Sequence, residues 1–425
     1  MIVFYRLLPI ALALLLPVAA WAQDGPTIDV RSNGDRAIAT LTYTFDLNPE
    51  GSLELDSRGG DIRILANEDD GVRVEEIVYT DDLSEDDARQ FALENQSSYK
   101  LRGNRLSIEG PRGSGREFGG WPSRGDRQRD YTVYVPTPFD VDVKTTGGTI
   151  DFEGLRGTLR ARTMGGEVAA RDVGGDVRLS SMGGAMRAED VDGNLEVQTY
   201  GGEIKAERVT GRMTLKTAGG SVRVREAERD VRIQTAGGNI LAETIGGGVQ
   251  AQTAGGSIRL TDIRADAEAQ TAGGDVIVAS VGGSLNASTA GGDIEGQTIN
   301  GPVTAETMAG DIELDDVRGG VEAHTTIGDI EIEMTRNGEV SYETDLSTSH
   351  GDIRIALPPD LSMTIDAVVE SAFGGIDRDD IYSAFPVTRE GGETGPLRVS
   401  GDVNGGGTTI RLRTTGGSIR IEKSE

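Results

Sequence analysis

The sequence of 425 residues contains no cysteine. Disulfides, thiolate metal centres and cysteine nucleophiles are therefore excluded, and stability has to come from burial and backbone pairing. Aromatic residues make up 4% of the chain, too few for a thick core built on large rings. Positive charge is short as well: 42 Lys and Arg stand against 70 Asp and Glu, a formal net charge of −28. That balance disfavours nucleic acid and anionic membrane surfaces as partners, because both call for cationic faces. Long apolar runs are missing apart from Leu7 to Ala20, which follows Arg6, is interrupted by Pro9 and Pro17, and leads into Ala20-Trp21-Ala22. A short apolar run behind a positive start, closed by a small-x-small site, is the pattern of an export signal. The mature chain is expected to begin at Gln23, and no transmembrane segment is expected after cleavage, since about 20 apolar residues are needed to cross the hydrocarbon.

Glycine is what the chain has in quantity, 61 residues, and it recurs at a fixed step. Gly-Gly pairs begin at Gly147, Gly165, Gly183, Gly201, Gly219, Gly237, Gly255, Gly273 and Gly291, 18 residues apart, and the register continues as Ala309-Gly310 and Ile327-Gly328. Disorder has no such period, whereas a solenoid requires one, because each repeat buries its apolar face against its neighbours. Other columns keep the same step. Thr or Ser stands two before each pair, from Thr145 through Ser181 to Thr325. An apolar residue stands three after the first glycine, from Ile150 to Ile330, and a further apolar column runs from Leu155 to Val317.

Alternation within one repeat assigns the faces. Ile258 and Leu260 point inward on one strand, Ile263 turns a corner, and Ala267 and Ala269 point inward on a second strand, while Arg259, Glu268 and Gln270 point out. The fold class is therefore all-β: a single-chain parallel β-solenoid with 18-residue coils, two short strands per coil and irregular caps at both ends. Parallel strands stack about 4.8 Å apart, so the regular coils form a rod roughly 50 Å long. Right-handed winding is expected from crossover chirality.

The expected organisation is a signal over 1–22, an N-terminal cap over 23–143, the regular solenoid over 144–335 and C-terminal coils with a cap over 336–425. Within the first cap, Ser57 to Ile62 is an early copy of the motif. Val72 to Tyr79 reads as a strand, and a short helix starts at Ser84, with Asp87 in the capping-box place and Ala88, Phe91 and Ala92 on one face. A loop is expected from Gly110 to Asp130, followed by a strand from Tyr131 to Pro136. Near the other end, Thr348 to Ile353 is a copy displaced by five residues, and Thr414 to Ile419 is the last copy. The irregular stretch between them, with Phe373 and Phe385, reads as the C-terminal cap.

The export signal, the Thr-x-Gly-Gly-Asp/Ser-Ile copies and the closing Thr414-Thr415-Gly416-Gly417-Ser418-Ile419-Arg420-Ile421 together resemble the putative-adhesin family of bacterial cell-envelope proteins. The resemblance implies an adhesin-like β-solenoid domain of unknown function, an envelope or surface location and no enzymatic activity. It supplies no catalytic residues.

Several columns are candidate sites. The threonines lie at inward parity, which assigns their hydroxyls to turn backbone and removes them from any outer, ice-matching face. Asp275, Asp293, Asp311 and Asp329 follow the second glycine in consecutive coils, and Asp352 holds the same place in the displaced copy. Glu295, Glu313 and Glu331 form a parallel acidic row, where earlier coils carry Arg187, Lys205 and Arg223. Stacked like charges repel unless screened or bridged, so the aspartates are the candidate edge for a hard cation such as calcium, with the glutamate row beside them as binding residues; no other cofactor is expected. The calcium repeat of secreted toxins, with its third glycine, is absent. Gln198, Gln234, Gln252 and Gln270 form an outward amide column, and His324 occupies the same column further along. A loop bearing Arg112, Arg116, Trp121, Arg124, Arg127 and Arg129 is basic on an acidic protein, so it is a candidate grip on an anionic polymer, with Trp121 as a binding residue.

These features make the chain an exported, non-enzymatic cell-envelope protein with an adhesin-like binding or structural role, placed in the periplasm, on the outer surface or secreted. The expected partner is an envelope or surface ligand, a glycan or a protein, and the chain is expected to be a monomer or small oligomer. Two alternatives stand beside it. A polysaccharide-active parallel β-helix enzyme would place clustered Asp beneath long loops, but the unbroken step leaves little chain for a cleft wall. A self-assembling scaffold would need bare coil ends.

Overall fold

The computed structural model describes residues 25–33, 36–68, 70–81, 83–111, 129–335, 343–370, 376–392 and 395–424. The expected signal, Trp121 with most of its loop, and Phe373 lie outside them. Among the described residues, no helix is long and apolar enough to cross a membrane.

Each coil holds two strands, as in Ile258–Ile263 and Ala267–Gln270. Through the regular coils the strands pair in parallel with their equivalents 18 residues away, so that Ile258 lies opposite Ile240 on one side and Val276 on the other, and the step lengthens to 23 between Val321–Ile327 and Thr344–His350. Two stacked sheets result, with their apolar faces turned toward each other. Ile258, Leu260, Ile263, Ala267 and Ala269 are all buried, and they belong to a core cluster that runs from one cap to the other. Alanine on one sheet opposite Ile or Leu on the other keeps the interior thin, which is why so few rings are needed.

The glycine pair works differently from a simple turn device. A Cβ on the second glycine, Gly256, would lie 2.1 Å from the carbonyl oxygen of Gly238 in the preceding coil, whereas one on Gly255 meets nothing nearer than 3.8 Å. Coil stacking, and not only chain reversal, excludes side chains at the second position. A second device is absent from the sequence reading. Asp172, Asp190, Arg208, Glu226, Thr244, Asp262, Thr298 and Asp316 all take left-handed backbone, with φ between 51 and 58°. The residue in this position breaks the alternation, so that Thr261 and Asp262 both face out and Ile263 returns to the core.

Both ends depart from chain order. Gly51–Asp56 is sandwiched between Phe139–Thr145 and Arg105–Glu109, and Ile62–Asn67 lies between Ile150–Glu153 and Arg129–Pro136. Beyond Arg129–Pro136 come Val72–Asp81, Arg36–Phe45 and Thr27–Asn33, all antiparallel. The helix Glu85–Glu94 packs on the last two, with Ser84 as its N-cap and Ala88 and Ala92 buried. At the other end, Thr408–Thr414 is inserted between Thr344–His350 and Met363–Val369, and Ile419–Lys423 lies between Ile353–Leu357 and Ile381–Ser383. The last motif copy is thus an inner coil, and the irregular stretch before it is the outermost layer. The motif columns explain the order: a motif-bearing coil stacks best on another, as Thr348 does on Thr414 and Ile62 on Ile150. Chain without the motif is left to cover the ends.

Candidate functional site

The threonine column is structural. Thr253 Oγ1 donates to the Gly238 carbonyl (3.0 Å) and accepts from the Gly256 amide (3.3 Å), and the same pair of bonds recurs at Thr217, Thr235, Thr271 and Thr289. Each hydroxyl ties its own turn to the preceding one.

The aspartate column is engaged in the same way. Asp275 Oδ1 accepts the Asp293 amide (3.2 Å), Asp293 Oδ1 the Asp311 amide (2.9 Å), Asp311 Oδ1 the Asp329 amide (2.8 Å) and Asp329 Oδ1 the Asp352 amide (2.7 Å). The column extends backward through Ser221, Asn239 and Ser257 and forward to Ser418, so any short side chain with an acceptor can serve. The carboxylates stand one per coil, and among the described residues no group of three or more acidic or histidine side chains converges as a metal-binding cluster. Glu295, Glu313 and Glu331 lie opposite one another along the adjacent row, and Arg354 closes it with a 3.0 Å contact to Glu331. Glu313 is held above the usual carboxylate range, by burial first and then by the charges of Asp315, Glu331 and Glu295.

The outward face of the second sheet is different. Gln234 Nε2 donates to Gln252 Oε1 (3.0 Å), Gln252 Nε2 to Gln270 Oε1 (3.1 Å) and Gln270 Nε2 to Glu268 Oε1 (3.0 Å). Gln250 stands beside this ladder on one of its own strands, Thr214, Asn286, Ser288 and Thr304 lie on the neighbouring strands of the sheet, and Lys216, Arg232 and Glu268 are the charges among them. The result is a flat stretch rich in amides and hydroxyls on a protein of net charge −28.

One contact escaped the sequence reading. His324 Nδ1 lies 2.7 Å from Ser347 Oγ, and His324 Nε2 lies 3.3 Å from Glu322 Oε1. The signal was available: the displaced copy sets Thr348 against Thr325, which places Ser347 opposite His324. The three side chains lie on a sheet face with no wall beside them to exclude water. His350, at the end of the strand Thr344–His350, is exposed.

A family model, Toastrack DUF4097, matches residues 50–261, 229–356 and 305–422. The chain belongs to the Toastrack DUF4097 family. No curated protein matches. Among solved structures, a putative adhesin from Bacteroides fragilis NCTC 9343 is 15% identical, over 67% of this chain and 96% of its own, with a TM-score of 0.26. A putative cell adhesion protein from Clostridium sporogenes ATCC 15579 is 9% identical, over 94% of this chain and all of its own, with a TM-score of 0.17. The Toastrack assignment agrees with the parallel stacks described above.

Proposed function

We propose that the chain is an exported, non-enzymatic cell-envelope solenoid that works by binding, with the amide face of its second sheet as the contact surface. The observation that carries this reading is the ladder from Gln234 to Gln270, which places hydrogen-bonding groups at coil spacing on a flat, weakly charged face. Such a face suits an extended polar partner, a glycan or a strand-like protein segment, lying along the rod. The test is retention of the purified protein on envelope fractions from its own source. The triple variant Gln234→Ala, Gln252→Ala, Gln270→Ala is expected to lose retention, and unchanged retention refutes the assignment of this face. Export is tested by the N-terminus of the mature protein, expected at Gln23.

A hydrolase is the second reading, favoured by the Ser347, His324 and Glu322 contact. A nucleophile, a base and a carboxylate in line are the parts of an acyl-transfer site. A fluorophosphonate probe decides between the two: labelling of Ser347 that is lost in His324→Ala supports the hydrolase, and no labelling leaves binding as the role.

A further inference from the structure

Among the regular coils, the corners from Asp172 to Arg264 line an open concavity of about 740 Å³, and a second concavity lies where the repeat breaks. At the N-terminal cap, the hairpin of Ser98–Arg102 and Arg105–Glu109 pairs with Gly51–Asp56 and extends the second sheet beyond it. Together with Arg58 and Thr146 these strands line a concavity of about 910 Å³, a volume suited to two or three sugar units by the usual size of ligand pockets, roughly 300–1,000 Å³.

The charges in it are arranged against local stability. Arg102 and Arg105 are register partners across the hairpin, and like charges directly opposed on a sheet are destabilising. Lys100 stands one outward position further along and is paired with Glu109 at 3.0 Å. Arg105 Nε donates to Ser52 Oγ (3.2 Å), while Arg58 and Arg102, both exposed, make no ion pair among the described residues. Four cations thus meet in one hollow of a strongly acidic chain. The adjoining strand contributes Asp56 and Glu54, the latter 3.9 Å from Lys144 Nζ, with the Ser107 hydroxyl between the two sets.

We propose that this concavity binds an anionic oligosaccharide, a short run of uronic-acid sugars. Guanidinium groups hold a sugar carboxylate as charge-assisted, planar pairs. The carboxylates of Glu54 and Asp56 then accept hydroxyl donors from the same ring. A polyphosphate or a DNA backbone has no hydroxyl donors for those carboxylates and meets their repulsion, so the mixed lining favours sugar acids over these polyanions. The inference names a ligand class for the binding reading above but occupies a separate surface, and the two fail independently.

Isothermal titration of the full chain with trigalacturonate, trimannuronate and neutral maltotriose tests it. Binding of at least one uronate trimer is expected, with none of maltotriose, and affinity should fall by about tenfold or more in Arg58→Ala, Arg102→Ala. The control Arg160→Ala, Arg178→Ala, at a half-buried and an exposed position of the same sheet within the rod, should bind as the parent does. Absence of binding to both uronates overturns the proposal. So does equal weakening in the rod control, or equal binding of a DNA oligonucleotide, each of which would reduce the effect to net electrostatic attraction.

Discussion

Thr253 shows how much a single side chain does in a stacked fold. Its hydroxyl satisfies a carbonyl of one coil and an amide of its own, both of which would otherwise be buried without partners. Thr253→Val keeps the shape and removes both bonds, and should destabilise the protein by about 1–3 kcal/mol, read as a shift in the denaturation midpoint. Glu76 is the stronger case. It is fully buried in the N-terminal cap and accepts from Arg129 Nη1, the Ser97 amide and hydroxyl, and Tyr99 OH. Glu76→Gln leaves the Arg129 guanidinium buried without its counter-charge, and should cost about 3–5 kcal/mol. The same cluster sets an alkaline limit. Burial, then the Glu76 charge, raises the Tyr99 hydroxyl well above its usual range and pushes Tyr131 up to about 12. Groups whose pKa is higher in the folded state favour folding fully below the unfolded value, about 10 for tyrosine, and lose that contribution as pH rises through the folded value. The tyrosinate absorbance that is lost in Tyr99→Phe, Tyr131→Phe should therefore appear together with opening of the cap above about pH 10, and its appearance with the cap intact would contradict the arrangement.

At the scale of the strand and its turns, the inward columns were readable because translation by one coil repeats each environment, so Ile258, Leu260 and Thr253 announce their burial by recurrence alone. Two features were not readable. The left-handed corner is occupied by Asp, Arg, Glu and Thr in different coils, so no residue type marks it. The aspartate row signalled repulsion and a cation edge, yet its carboxylates receive backbone amides, a donor set that sequence does not display. The glutamate row keeps its unfavourable charge. A carboxyl held above its usual value penalises folding once it ionises, so stability falls as pH rises through the glutamate range and the penalty is absent below it. Glu313→Gln should raise the thermal midpoint at neutral pH by an amount corresponding to about 0.2–1 kcal/mol. The gain should vanish at about pH 3.5, where the parent side chain is itself protonated, and equal gains at both pH values would refute the repulsion.

For the molecule as a whole, a solenoid is close to a one-dimensional stack in which each coil feels its neighbours. Such a stack would fray from its ends and pair end to end with other copies, since a terminal coil offers unpaired strand edges. Here the ends are interlocked. Thr408–Thr414 and Ile419–Lys423 act as a wedge between the coil of Thr344–Leu357 and the outer layer of Met363–Val369 and Ile381–Ser383, both of which pair with the wedge. Its inward side chains Ile410, Leu412, Ile419 and Ile421 are buried, so the outer layer reaches the rod through them. The order could not be read from the sequence, where the last motif copy looks like the last coil. Loss of residues 405–425 should therefore remove more than one coil: it bares the edge of Thr344–His350, detaches the outer layer and exposes Leu346 and Ile355. The shortened chain should self-associate, seen as growth in light scattering with concentration, while the full chain does not. If it stays the size of a monomer with its strand content reduced only by the missing segment, the outer layer docks without the wedge and the ends are ordinary stacked coils.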